Sequence, residues 1–331
     1  MAFVVDSQEW DFNGWTSKDI QAAIEDILER LSWAFEDQHD VWVGETLQTQ
    51  LVYGTDDLWS LRSATSNVQI EEEVWQELAA ALGRTKRYID EENWPAGFDD
   101  YLIAVDNNPP VINPDIAWAH HNVRAHRAVA CLGLRRKGLF TTISKYGAAN
   151  VRWTGDKKSC TLFWREAIHI ERNTAATLER LAPYAYPGLF FVPGVWHGLA
   201  KLSGGYYQHS HGLQRYLSIL SDSGKWAFTA PPPAEVMSEA QGKGPELPTS
   251  QLIIRRFIRL GLDVTPENPN VFRHNTCRKA RELNVFGETL YFEWHGKLQL
   301  YQNRVHIHPP VDGSKEKVLV GIIDAHLPLP P

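Results

Sequence analysis

An α+β architecture follows from three features of this 331-residue sequence. Two segments in the first hundred residues repeat apolar side chains at helical spacing. Segments over about 128–165 and near the C-terminus read as strands. One proline-rich tract separates two units, a division that the length also favours. The expected organisation is an α+β domain over 1–228, a linker over 229–250, and a small α+β domain over 251–331 built from a helix and an antiparallel hairpin. Within the first domain, an acidic helical part spans 1–100 and a basic meander spans about 124–172.

The first helix is carried by TSKDIQAAIEDILERLSWAFED, where Ile20, Ala23, Ile24, Ile27, Leu28, Leu31 and Phe35 share a face and Thr16 with Asp19 forms a capping box. A second fits EEEVWQELAAALG, with acids at its start and Gly83 as a left-handed stop. DNNPPVINPD reads as a loop, and AWAHHNVRAHR as a short helix with His120 and Arg124 on an exposed face. AVACLGL and LFTTIS read as strands around RRKG, and VRWT and SCTLFW as strands around GDKK, which together make the meander. Helices return over NTAATLERLAPYA, capped by Asn173, and over GGYYQHSHGLQRYLSILSD. The tract TAPPPAEVMSEAQGKGPELPTS, residues 229–250, has almost no large apolar side chain and reads as the linker. Beyond it, QLIIRRFIRLG is a basic amphipathic helix with Arg255, Arg256 and Arg259 opposite its apolar stripe.

Composition narrows the function classes. No apolar run approaches the roughly 18 residues of a membrane span, and the N-terminus MAFVVDSQEW lacks the basic start and apolar stretch of a signal peptide. Three widely separated cysteines, Cys131, Cys160 and Cys277, build neither a disulfide framework nor a zinc motif, so a cytoplasmic location is expected. The net charge of −7 conceals an asymmetry: residues 1–100 carry 22 acids and 6 bases, while residues 124–172 carry 11 bases and 3 acids. The basic stretch suits a phosphate backbone or an acidic protein partner, or else it packs against the acidic part of its own chain. There is no P-loop, GxGxxG, GxSxG, HExxH or kinase signature, which argues against nucleotide-driven motors and the common hydrolase classes.

The chemistry-bearing stretch is FEWHGKLQLYQNRVHIHPP, residues 292–310. From Thr289 to Tyr301 apolar and polar residues alternate, and in RVHIH the parity reverses, which predicts one strand, a two-residue turn at Gln302–Asn303 and a return strand. That register puts Glu293, His295, Lys297, Gln299, Arg304, His306 and His308 on one sheet face, with Lys297 across from His308. KVLVGII, apolar at both parities, reads as a strand covered on both sides.

Three readings of this face compete. Acid–base work on a phosphodiester would use His306 and His308 as the proton-transfer pair, with His295 and Glu293 in support, and Arg304, Lys297, Arg273 and Arg278 on phosphate. A metal site would use H-x-H with a third ligand, but the neighbouring cations oppose it, so no metal and no cofactor is expected. The bland reading is the solvated face of an antiparallel sheet. The favoured function is a nucleic-acid-interacting protein, RNA rather than DNA, with metal-independent ribonuclease chemistry as its sharpest form. The alternatives are a non-enzymatic protein-binding or assembly component, and a His-ligated metal-dependent hydrolase. No membrane partner is expected, and the oligomeric state is left open.

Overall fold

The computed structural model describes residues 2–63, 67–90, 94–230 and 248–331. They form two compact units, Met1–Arg172 and Asn173–Pro331. The break therefore falls ahead of the expected linker, because strand Leu189–Phe191 pairs in parallel with Val318–Asp324 and ties the stretch after residue 172 to the C-terminal strands. Most of the tract at 229–250 lies outside the described residues, at 231–247.

The first unit runs, in chain order, through β1 (Ala2–Val5), α1 (Ser17–Glu36), β2 (Asp40–Val43), β3 (Leu51–Tyr53), β4 (Asp56–Asp57), α2 (Glu72–Leu82), β5 (Lys86–Arg87), β6 (Leu102–Val105), β7 (Val111–Ile112), α3 (Pro114–Arg124), β8 (Val129–Leu132), β9 (Gly138–Ser144), β10 (Gly147–Thr154) and α4 (Lys157–Ile170). Its main sheet has the order β5-β2-β1-β8-β10-β9-β6-β7, parallel from β5 to β10 and antiparallel beyond. Parallel strands need cover on both faces. Val4 and Cys131 pack in one core with Ile116, Trp118 and Ala119 of α3. Phe3 turns to α4, with ring centroids 5.4 Å from Phe163 and 5.8 Å from Trp164.

The Thr16–Asp19 capping box starts α1 as its residues predict. Three other expectations change. SCTLFW is not a strand but the body of α4, which Asp156 and Ser159 open with their own capping box. The 128–165 segment is consequently no meander: β8 pairs in parallel with β1 and β10, and only β9 and β10 form a hairpin. Gly83 ends α2 with φ −64°, so its stop is right-handed.

The basic stretch meets the acidic part of its own chain. Arg136 lies 3.3 Å from Asp6 and 3.7 Å from Glu9, Lys137 lies 3.9 Å from Asp26, and Lys145 lies 3.7 Å from Asp100. Asp6 is fully buried and also accepts from Asn113 Nδ2 at 3.0 Å and Trp153 Nε1 at 3.1 Å. Beside it Asp115, pushed up to about 6 by burial, accepts from the Ser7 amide and the Tyr88 hydroxyl. Much of the charge asymmetry is thus spent on holding strand ends and loops of one unit together.

The second unit contains α5 (Ala175–Ala185), β11 (Leu189–Phe191), α6 (Gly205–Phe228), α7 (Ser250–Arg259), β12 (Val264–Pro266), α8 (Pro269–Arg273), α9 (Asn275–Lys279), β13 (Glu282–Val285), β14 (Glu288–Tyr291), β15 (Trp294–Lys297), β16 (Arg304–His308) and β17 (Val318–Asp324). Thr174 rather than Asn173 caps α5. The sheet order is β11-β17-β16-β15-β12, and β13 pairs with β14 in a separate ribbon. α6 covers one face of the sheet. A Cβ at Gly296 would stand 2.5 Å from Cε1 of Tyr216, whose hydroxyl donates to the Lys297 carbonyl at 2.9 Å. The β13–β14 ribbon helps to cover the other face, where Val285, Phe292, Leu319 and Val192 form a core.

His120, expected on an exposed helix face, is fully buried in α3 and bonds Thr142 Oγ1 at 2.8 Å and Ser144 Oγ at 3.0 Å. Burial pushes it down to about 4. Since an unfolded histidine titrates near 6.5, the unfolded chain binds the extra proton between these values, and stability falls as pH falls. His120→Gln is expected to lose about 1.5 kcal/mol less stability than the parent between pH 6.5 and pH 5, read from urea unfolding; equal losses would show that His120 binds its proton equally well in the folded and unfolded states.

Candidate metal centre

The alternation over 289–301 belongs to two strands, not one. β14 ends at Tyr291 and pairs with β13, while β15 starts at Trp294 and joins the five-stranded sheet. The return register also differs from a two-residue turn. His295 stands opposite His306 and Lys297 opposite Arg304, so residues 298–303 form the connection. Asn303 does take the positive φ expected of it, 59°, but as a buried anchor: its side chain donates to the Ser203 carbonyl at 3.1 Å and to Gln299 Oε1 at 2.8 Å. Burying those polar bonds outweighs the local hairpin preference and widens the loop.

The face expected to be solvated is covered. His306 is 0% exposed and His295 5%. His306 Nδ1 lies 3.1 Å from the Phe292 carbonyl, which can only accept, so Nδ1 carries the proton and Nε2 its lone pair. Nε2 of His306 and Nδ1 of His295 have no hydrogen-bond partner among the described residues. Burial pushes His295 down to about 4 and His306 to about 3, so both rings are neutral at pH 7 and can act as ligands.

A third group, absent from the sequence reading, completes the cluster. Thr265 of β12 pairs with His295, and the chain continues past the strand with Glu267 N donating to the Glu293 carbonyl at 2.9 Å. Glu267 Oε1 then lies 3.6 Å from His295 Nδ1. One donor atom from each of Glu267, His295 and His306 lies within 4.8 Å of the others. Ligands on one ion at the usual bond lengths stand roughly 3.4 Å apart, so the Glu267–His295 pair is already near that spacing. Two imidazoles and one carboxylate make a donor set known for zinc and for non-haem iron.

Supporting contacts hold these groups. The Phe292 carbonyl fixes the His306 tautomer, the usual role of a backbone acceptor behind a metal-binding ring. Arg281, 1% exposed, donates through Nε to Glu267 Oε1 at 2.8 Å and through Nη1 to the carbonyls of Cys277 and Pro328. Oε1 is thus shared: the oxygen 3.6 Å from His295 Nδ1 also accepts from Arg281.

The structure distributes the other expected site residues differently. His308 follows a β-bulge at His306/Ile307, lies against Phe292 with ring centroids 5.6 Å apart and planes tilted by 57°, and bonds the Pro309 carbonyl at 2.8 Å. Lys297 is across from Arg304 rather than His308 and pairs with Asp263 at 3.2 Å. Arg278 is engaged by Glu282 at 3.1 Å. Glu293 and Arg273, in contrast, line a cavity of about 360 Å³ together with Glu267, Phe272 and Tyr291. Partial burial raises the Glu293 carboxyl.

No known protein family, curated protein or solved structure matches the chain. Among the described residues no helix is long and apolar enough to cross a membrane.

Removing one partner of a buried ion pair strands the other charge. Arg281→Met is therefore expected to destabilise this unit by about 3–5 kcal/mol, and adding Glu267→Gln to recover part of that loss. Additive losses in urea unfolding would show that the two side chains do not interact.

Proposed function

We propose that the second unit is a metal-dependent hydrolase whose ion is held by Glu267, His295 and His306. The observation that carries this reading is the pair of buried, neutral imidazoles with unpartnered nitrogens, gathered with a carboxylate inside 4.8 Å. Leaving such atoms unbonded in an apolar interior is costly, and an ion would satisfy both at once. A divalent ion supplies a Lewis acid and a bound water that ionises near neutral pH.

The chain's own groups fit the remaining work. Phe292 and Arg281 orient two of the ligands. Glu293, on the cavity wall and shifted upward, suits the temporary holding of a proton. Hydrolysis joins the hydroxyl of water to the electrophilic centre and breaks the bond to the departing oxygen, which receives the proton. Metal-independent ribonuclease chemistry is less well supported, because His306 is fully buried and its Nδ1 proton is committed to Phe292. Cys131, Cys160 and Cys277 are all free, which supports a reducing compartment such as the cytoplasm.

Elemental analysis after dialysis against Zn²⁺ or Mn²⁺ is expected to find one ion per chain. Glu267→Gln and His295→Ala are expected to weaken zinc affinity by about 100-fold, with near-ultraviolet circular dichroism reporting that each variant folds. A folded parent protein that takes up neither ion would overturn the metal reading and leave the binding or assembly component as the better account.

A further inference from the structure

We propose that the cavity beside Glu267 binds a nucleoside monophosphate group, with its phosphate between the metal centre and Arg273 and its base against Phe272. This rests on the metal reading above and names the substrate class of that site.

Charge selects the phosphate. Glu267 and Arg281 are paired at 2.8 Å and nearly cancel, so an ion beside them leaves the centre with close to its full double positive charge. Neutral histidines add nothing to offset it. An anionic ligand is the natural completion, and a phosphate can reach both an ion and a guanidinium. Arg273 lines the same cavity as Glu267. Among the described residues its side chain meets Asn270 Oδ1, at 3.5 Å, which leaves most of its donors available. Arg278, by contrast, is paired with Glu282 and serves as backing for Phe272, 5.6 Å from that ring.

The aromatic wall selects the base. Phe272 is 48% exposed although it lines a cavity, and it is held edge-on by Tyr291 with ring centroids 5.0 Å apart and planes at 78°. An exposed, braced aromatic face beside a phosphate-binding cation is the arrangement that stacks nucleobases. The Tyr291 hydroxyl is buried and has no partner among the described residues, so it retains a donor for a ligand's polar edge. The cavity, about 360 Å³, is at the small end of ligand sites and suits one nucleotide. Glu293 on the wall opposes an anion, so tight binding requires the ion.

Calorimetric titration of the zinc-loaded full chain with adenosine 5′-monophosphate, ribose 5-phosphate and a 5′-phosphorylated oligoadenylate tests this. Adenosine 5′-monophosphate is expected to bind about tenfold tighter than ribose 5-phosphate, and Phe272→Ala to erase that difference. Arg273→Met is expected to weaken both by about tenfold without changing zinc content. Oligoadenylate binding more tightly than the mononucleotide supports the proposal with an RNA end as the source of the nucleotide. Zinc uptake without mononucleotide or oligoadenylate binding, or equal affinities for the nucleotide and the sugar phosphate, overturns the proposal alone. Absence of zinc uptake overturns the metal centre and this proposal together.

Discussion

The register of β12, β15 and β16 is the constraint on which the second unit's candidate chemistry depends. Thr265, His295 and His306 are Cα partners across three strands, and Glu267 continues the first of them by one hydrogen bond beyond its end. Side chains alternate along a strand, so a slip of one residue in either pairing would send an imidazole to the α6 face. Two anchors on the surroundings oppose such slips. Tyr216 fits against Gly296, where a side chain has no room, and buried Asn303 ties the connecting loop to the Ser203 carbonyl. The bulge after His306 then turns His308 away to Phe292 and the Pro309 carbonyl.

Burial sets the electrostatics of both units: several buried charges meet an opposite charge, and desolvation keeps His120, His295 and His306 neutral at pH 7. In the first unit Asp6 and Glu9 meet Arg136, and Asp26 binds Arg30 at 2.7 Å. In the second, Arg281 meets Glu267 while His295 and His306 are held far below their ordinary titration range by burial. The histidines differ in what surrounds them. His120 of the first unit has both nitrogens satisfied by Thr142 and Ser144, whereas His295 and His306 each retain a bare nitrogen turned to a common space. Buried His121 also has both ring nitrogens without a hydrogen-bond partner among the described residues, so what sets His295 and His306 apart is that they meet each other and Glu267.

Local signals in the sequence were legible where the physics is local. The capping box at Thr16 and Asp19 and the apolar stripe after it specify α1, and the apolar stripe of QLIIRRFIRLG specifies α7. The same kind of signal, Asp156 with Ser159, marks the start of α4, yet alternation in SCTLFW obscured it because short apolar runs suit strand and helix alike. The parallel pairing of β8 with β1 was not legible, since its partner lies more than a hundred residues away and parallel strands carry no turn between them.

The sequence by itself determined the α+β class, most of the longer helices but not α4, and the presence of a histidine-rich antiparallel pair near residue 300. Those follow from periodicity and capping, which act over a few residues. Only the tertiary structure decided which histidines meet, that their face is covered, and that Glu267 joins them. Those outcomes depend on long-range registers, on the buried Asn303 and Arg281 contacts, and on the β13–β14 ribbon packed over Phe292, none of which any local pattern encodes.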